Sequence, residues 1–109
     1  MQEDILHYIE SFEIATRQRF NILYELIYES ASSTINEKLW AKLPSFYVDE
    51  HFIRLIPFKD HINIEAKAVI LHKTELSSYK LTPKGMLQIF HHQQVPCELL
   101  KIIFKESLE

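Results

Sequence analysis

The chain has 109 residues, of which 47% are hydrophobic, and this predicts one α+β domain spanning residues 1–109 with a single core. Its net charge of −3 gives no electrostatic case for nucleic acid or membrane binding, and no run approaches the roughly 18 apolar residues of a membrane span. A single cysteine excludes an internal disulfide and the acidic first residues lack the features of a signal peptide, so we expect a soluble cytoplasmic protein, as monomer or homodimer.

The first part of the chain predicts two helices, over residues 2–12 and residues 16–31. On a helical wheel, the apolar face of the second helix consists of Phe20, Leu23, Tyr24, Ile27 and Ala31. Its narrow polar stripe consists of Gln18, Asn21, Glu25, Glu29 and Ser32. A helix that is apolar most of the way round packs on more than one side, so we expect it to lie on a sheet between the two terminal helices.

A run of strands follows these helices. Residues 35–42 alternate in polarity and predict a first strand. Residues 43–65 contain three runs rich in β-branched and aromatic residues, which are separated by the pairs Asp49-Glu50 and Lys59-Asp60. Short strands separated by polar pairs are typical of an antiparallel meander.

The register of this meander follows if the two polar pairs are the centres of tight turns. Residues that lie opposite each other share a face of the sheet, and side chains alternate between faces. One face is then an apolar core, made of Phe46, Ile53, Leu55, Ile62 and Ile64. The other face is mixed, half aromatic and half polar, and carries Ser45, Tyr47, Phe52, Arg54, Ile56, Phe58, His61, Asn63 and Glu65. A slip of one residue would exchange the faces, so the apolar pattern fixes the register.

The last part of the chain predicts a third helix over residues 66–77, a fifth strand over residues 86–90, and a final helix with Pro96 at its first position. Gln88 lies on one side of the fifth strand, together with Met86 and Phe90. The order of the elements predicts an antiparallel sheet of about five strands that is packed on one face by helices.

Several motifs resemble those of the YdhG-like family of small bacterial proteins. The run from Pro57 to Ile62 resembles the family's Phe-Lys-x-His-Ile, and Tyr79-Lys80 with residues 84–89 resembles its Tyr-Lys and Lys-Gly-Thr-Ile-Gln-Phe. Weaker matches are Tyr8-Ile9, Leu26-Ile27 with Glu29, residues 35–46 and Val95-Pro96. The chain departs from the family pattern at Asp49-Glu50 and at Glu65. The resemblance implies a frataxin-like sandwich.

The family includes a frataxin-like iron chaperone, so the resemblance implies iron binding and docking to iron-sulfur assembly proteins. Labile iron prefers carboxylate oxygens with some imidazole. Glu25 and Glu29 lie one turn apart on the long helix, and Glu37 of the first strand joins them if it points the same way. The alternative is that the carboxylates simply line a solvated helix face.

The mixed face offers a second candidate site, for a small ligand or a protein partner. Its candidate binding residues are Arg54, Lys59, His61, Asn63, Lys84 and Gln88. His61 could instead be a turn residue that bonds its own hairpin. Lys59, Lys80 and Lys84, the last of them next to Gly85, could act as point charges for phosphate or carboxylate. The aromatic residues Trp40, Tyr47, Phe52 and Phe58 could form the wall of a site, or could be covered by the N-terminal region or by a second subunit.

Three classes of function therefore stand side by side: a frataxin-like iron protein, a binding module without metal, and an enzyme. The enzyme has the least support, because no acid–base pair or activated nucleophile can be named and Cys97 has no predicted partner. The six histidines show no pair at ligand spacing on one helix. We therefore expect a non-enzymatic binding protein.

Overall fold

The computed structural model describes residues 1–109 and shows an α+β fold, in which three helices accompany an open antiparallel sheet of six strands. The helices are α1 (Glu3–Glu10), α2 (Ile14–Ser30) and α3 (Cys97–Leu108). The strands are β1 (Asn36–Trp40), β2 (Leu43–Val48), β3 (His51–Pro57), β4 (His61–Ala66), β5 (Lys80–Leu81) and β6 (Leu87–Phe90), with a short 3-10 helix at Val69–His72. The strand order across the sheet is β1-β2-β3-β4-β6-β5.

The core lies between one face of the sheet and the helices. Phe20, Leu23 and Ile27 of α2 are at most 1% exposed, and α2 and α3 pack against each other and against β3 and β4. From the sheet, the core receives Phe46, Ile53, Leu55, Ile62, Ile64, Leu87 and Ile89. The helices pack on this side of the sheet, and the opposite face carries no helix. No helix of the chain is both long and apolar enough to cross a bilayer.

The predicted register of the meander is confirmed. Phe46 pairs with Ile53, Leu55 with Ile64, and Pro57 with Ile62. Two residues, Asp49 and Glu50, connect β2 to β3, and Asp49 adopts a positive φ of 54°, which aspartate tolerates better than most residues. Phe58 donates its backbone N–H to the carbonyl of His61, so Lys59-Asp60 forms the second tight turn. The apolar face and the mixed face of the meander therefore consist of the residues that the alternation predicts.

The prediction of a helix over residues 66–77 is wrong. Only Val69–His72 is helical, as a single 3-10 turn, and further turns follow it up to Tyr79. The segment is held by α3, because the Ala68 N–H donates to Ser107 Oγ at 3.1 Å and His72 bonds Glu106 at 2.6 Å. These tertiary contacts replace the regular backbone ladder of a helix.

Three smaller corrections concern the ends of elements. The sheet has a sixth strand, β5, whose two residues pair with Gln88 and Leu87 of β6. Pro96 lies at the N-cap, just before the first helical residue of α3. The first strand ends at Trp40, because Ala41 and Lys42 both have positive φ and form the turn to β2. Such a conformation at both central residues is the geometry of a tight hairpin turn.

Candidate functional site

The sheet face that carries no helix is the candidate site, and we call it the open face. Its side chains alternate with those of the core along every strand. They are Lys38, Trp40, Ser45, Tyr47, Phe52, Arg54, Ile56, His61, Asn63, Glu65, Lys80, Gln88 and Phe90, with Phe58 next to them. The open face therefore contains four of the six predicted ligand-binding residues: Arg54, His61, Asn63 and Gln88.

Arg54 is the anchor at one end of the open face. Its guanidinium lies between two rings, with its carbon 4.2 Å from the ring centroids of both Trp40 and Phe52. It donates hydrogen bonds to Ser45 Oγ at 2.8 Å, Glu65 Oε1 at 2.9 Å and Tyr47 Oη at 3.1 Å. Arg54 is only 6% exposed, and the ion pair with Glu65 neutralises its charge. Its role in the site is to fix the orientation of the surrounding rings.

A row of four rings crosses the other end of the open face. Phe58 stacks on His61 with centroids 4.5 Å apart, His61 contacts Phe90 at 5.1 Å, and Phe90 stacks with His92 at 5.9 Å. His61 Nδ1 lies 2.6 Å from Asp60 Oδ1, and this hydrogen bond holds the pKa of the Asp60 carboxyl below its usual value. His61 thus lies on the open face and bonds Asp60 of its own turn, as the turn alternative predicts, and a binding role for His61 stays a prediction.

The loop that carries the last ring is held in place from the helix side. Arg19 of α2 donates to the backbone carbonyls of Phe90, His91 and Gln93. His91 Nε2 lies 2.9 Å from the hydroxyl of Thr16. Burial, together with the nearby Arg19 charge, lowers the pKa of His91. These contacts fix residues 90–93, and with them the positions of the last two rings of the row.

The centre of the open face contains two amide side chains without partners. Asn63 and Gln88 lie directly opposite each other on β4 and β6, between Ile56 and Lys80. Asn63 Oδ1 and Gln88 Oε1 are buried by their neighbours and accept no hydrogen bond. Buried polar atoms are nearly always paired in folded proteins, so two such acceptors side by side are an exception. A donor from outside can bond them only when the amide side chains rotate, because neither oxygen is open to solvent.

The two predicted lysines lie at opposite ends of β4 and do not meet. Lys59 borders a shallow cavity of about 650 Å³ that also contacts Glu13, His91 and His92. Lys84 lies in the Gly85 turn and borders a cavity of about 560 Å³ with Glu65 and Lys67. The structure therefore offers no single anion site that both lysines could share.

The three predicted metal ligands do not converge either. Glu37 points toward the helices, where its carboxylate accepts hydrogen bonds from the Gln2 N–H and from the hydroxyls of Tyr24 and Tyr28. Glu29 lies 3.5 Å from Lys101 of α3, and Glu25 is exposed. No group of three histidine, cysteine, aspartate or glutamate side chains in the chain is arranged to hold a metal ion. These residues therefore do not fit an iron site.

Glu37 is instead the centre of a hydrogen-bond cluster between β1 and the first two helices. Partial burial opposes its ionisation, but the donors from Gln2, Tyr24 and Tyr28 outweigh that effect and lower the pKa of Glu37. Burial and the bond to Glu37 raise the pKa of Tyr24 to about 12, and the same causes raise the pKa of Tyr28. The cluster is a structural contact on the helix side of the sheet.

The open face contains further residues that the sequence did not single out, namely Lys38, Phe90 and His92. The alternation in residues 86–90 already places Phe90 beside Gln88, so that signal was present. No pattern marks His92, which lies in a turn. The open face thus combines aromatic rings, unpaired amide oxygens and lysines, which are groups that can bind a ligand or a partner protein. No family model, curated protein or solved structure matches this chain.

Proposed function

We propose that this chain is a non-enzymatic binding protein whose open face captures a ligand or a partner. The observation that carries the proposal is the pair of buried, unpaired amide oxygens of Asn63 and Gln88 at the centre of a face without helices. A buried acceptor without a donor costs about 1–3 kcal/mol, so a face that keeps two of them gains when a donor arrives.

The rings on both sides of these oxygens support the same proposal. Their orientation is set before any ligand binds, by Arg54 at one end and by the Arg19 contacts to the 90–93 loop at the other. Preorganisation of this kind lowers the ordering cost of binding. Trp40 is 51% exposed and Phe58 is 42% exposed, so both remain accessible to a partner.

The six-stranded sheet with helices on one face supports a YdhG-like, frataxin-like sandwich as the finer description of the fold. Iron delivery to iron-sulfur assembly proteins has less support, because Glu37 is already bonded to Gln2 and Tyr24, Glu29 is paired with Lys101, and no three carboxylates are arranged around a metal ion. An iron-handling function would need ligands other than the three predicted carboxylates.

A photocrosslinking experiment tests the proposed function. Benzoylphenylalanine is placed at Phe58 or Trp40 of the open face, and at Ile102 of α3, which is 50% exposed, as the matched control. After irradiation in cells that express the chain, we expect specific adducts from the two open-face positions and none from position 102, with the attached molecule identified by mass spectrometry.

Two outcomes would contradict the proposal. One is an equal pattern of adducts at all three positions, since this would show no preference for the open face. The other is the absence of adducts at Phe58 and Trp40 in variants whose circular dichroism and thermal unfolding match those of the unmodified chain.

A further inference from the structure

The net charge of −3 is distributed unevenly along the chain. Residues 1–35 contain six acidic and two basic side chains, whereas residues 36–92 contain eight basic and six acidic ones. Among those six acids, Glu37 points to the helices and Glu65 is paired with Arg54. Three of the others, Asp49, Glu50 and Asp60, lie in the two hairpin turns at the margins.

The lysines differ between the two sides of the sheet. On α3, Lys101 and Lys105 both form ion pairs with glutamates. On the open face, Lys38 and Lys80 form none, and Lys38 instead lies 5.0 Å from the ring centroid of Tyr47. Lys59 at the margin is likewise without an ion pair. The open face therefore carries lysines without acidic partners, and an anion is the ligand that complements them.

The exposed rings add a second property to that anion. Phe58 and Trp40 are about half exposed, and His92 is exposed at the end of the ring row. Stacking of planar bases on aromatic rings is a main source of affinity in proteins that bind single strands. Rings combined with lysines select a ligand that carries both planar bases and negative charges.

The unpaired amide oxygens supply the third property, which is a need for hydrogen-bond donors. Asn63 lies two residues from His61 on β4, and Gln88 lies two residues from Phe90 on β6. Alternate residues of a strand are about 7 Å apart on the same face, so a base stacked on the ring row lies beside both amide side chains, whose oxygens can accept from it once they rotate outward. The amino groups of adenine, cytosine and guanine are donors of the required kind.

From these three properties we infer that the open face binds single-stranded nucleic acid, an inference that rests on the proposed function. Four strand spacings of about 4.8 Å separate Trp40 on β1 from Phe90 on β6, so the face spans about 19 Å. That length suits roughly four nucleotides, the lower end of the known site sizes of single-strand binders. A duplex does not fit, because its bases are stacked on each other and cannot reach the rings. The overall acidic charge is no objection, since six of the acids lie in residues 1–35 and Glu65 of the open face is paired with Arg54.

Fluorescence anisotropy with labelled eight-nucleotide RNA and DNA strands tests this inference. With about three lysine contacts, the affinity for a single strand is expected to fall about 10- to 20-fold between 50 and 200 mM salt. Adenosine monophosphate should bind far more weakly than the eight-nucleotide strand, because it offers only one base and one phosphate. Strands of A or C should bind more tightly than strands of U or T, whose bases offer a single ring N–H in place of an amino group with two donors.

Matched variants separate the contributions. Phe58→Ala should weaken binding about tenfold at every salt concentration, since it removes a stacking surface. The double variant K38Q/K80Q should weaken binding and also reduce the dependence of log K on log salt concentration by about 1.4. Lys101→Gln changes a lysine on the helix side and serves as the control, for which binding should stay unchanged.

Several results would overturn the inference. They are the absence of binding at 50 mM salt, affinities of Phe58→Ala and K38Q/K80Q equal to that of the unmodified chain, competition by polyphosphate as strong as by the oligonucleotide, or equally tight binding of adenosine monophosphate. If the oligonucleotides fail while crosslinks at Phe58 capture a protein or another small molecule, only the nucleic-acid inference falls. If both experiments fail, the proposed function falls as well.

Discussion

The two faces of the sheet are built from alternate residues of the same strands, and they have opposite properties. On the covered face, Ile53, Leu55 and Ile64 have no exposed surface, and all three belong to the apolar core. On the open face, Arg54 and Asn63 lie among rings and amides, and the adjoining rings remain half exposed. The comparison shows that a single register, fixed by the covered face, positions every side chain of the open face. Stability and recognition can therefore be altered separately.

The largest expected difference between the faces is the cost of removing a phenylalanine ring. Phe46→Ala on the covered face should lower the free energy of unfolding by about 3–5 kcal/mol, because it leaves a cavity in the core. Phe58→Ala on the open face should cost less than about 1 kcal/mol, since Phe58 is 42% exposed. Urea denaturation of both variants measures the difference. Equal costs would contradict the assignment of the two faces.

Arg54 is the exception on the open face, because it is as buried as a core residue. Arg54→Ala should cost about 2–4 kcal/mol, as it removes three hydrogen bonds and leaves Glu65 without its partner. Arg54→Lys should recover part of this loss, since lysine keeps the charge without the planar stack between two rings. Lys38→Ala on the same face is the control and should be close to neutral. A neutral Arg54→Ala would show that the rings hold their places unaided.

On the covered side, Glu37→Gln tests the cluster that joins β1 to the helices. We expect a loss of about 1–2 kcal/mol at neutral pH, because three donors then face a neutral acceptor. The pKa of Glu37 is lowered in the folded chain, so its stabilisation is present above the ordinary value of 4.5 and is lost as pH falls through the folded value.

Thermal unfolding of the Glu37→Gln variant and of the unmodified chain, from pH 7 down to pH 3, measures this difference. Glu25→Gln, which changes an exposed carboxylate on α2, should track the unmodified chain throughout. A difference between Glu37→Gln and the unmodified chain that grows on acidification would contradict the assigned role.

The smallest expected effect concerns His72, which lies away from both faces and links the 3-10 turn to α3. The hydrogen bond to Glu106 raises the pKa of His72 against the opposing effect of burial, and Glu75 adds to the rise. Its stabilisation is therefore complete below the ordinary value of 6.5 and disappears as pH rises through the folded value. His72→Gln should cost under about 1 kcal/mol at pH 5.5 and nothing at pH 9.

Chemical denaturation at pH 5.5 and pH 9 is sufficient to measure the His72 effect. His7→Gln, at an exposed position of α1, is the control and should show no such difference. A larger cost at pH 9 than at pH 5.5 would show that the neutral imidazole makes the stabilising contact.

Much of the meander could be predicted from the sequence, because its apolar side chains recur at every second residue. The pairs Phe46–Ile53 and Leu55–Ile64 follow from that period and from the positions of the two turns. The segment after β4 could not be predicted in the same way. Val69 and Leu76 are buried at a helical spacing, yet Ile70 and Leu71 are more than half exposed, and the segment follows the contacts that α3 offers. β5 has only two residues, too few for any alternation to appear.

The residues that lie on the open face could be predicted from the sequence, but the way they pack and bond to one another could not. The alternation places Arg54, His61 and Asn63 on one face. The enclosure of Arg54, however, depends on Trp40, and the register of β1 against β2 is set by the Ala41–Lys42 turn, in which neither residue is a typical turn residue. The two unpaired amide oxygens depend on how neighbouring side chains pack, which no local pattern encodes.

The outer strands of the sheet have a consequence for self-association. Unpaired strand edges act as templates for fibril growth, and proteins counter this with short or charged outer strands. β5 ends one side after two residues, and β1 ends the other with Glu37 and Lys38 next to each other. Neither side offers a long apolar ribbon to a neighbouring molecule. Exposed rings can therefore persist on the broad surface of this sheet without turning the protein into a seed for amyloid.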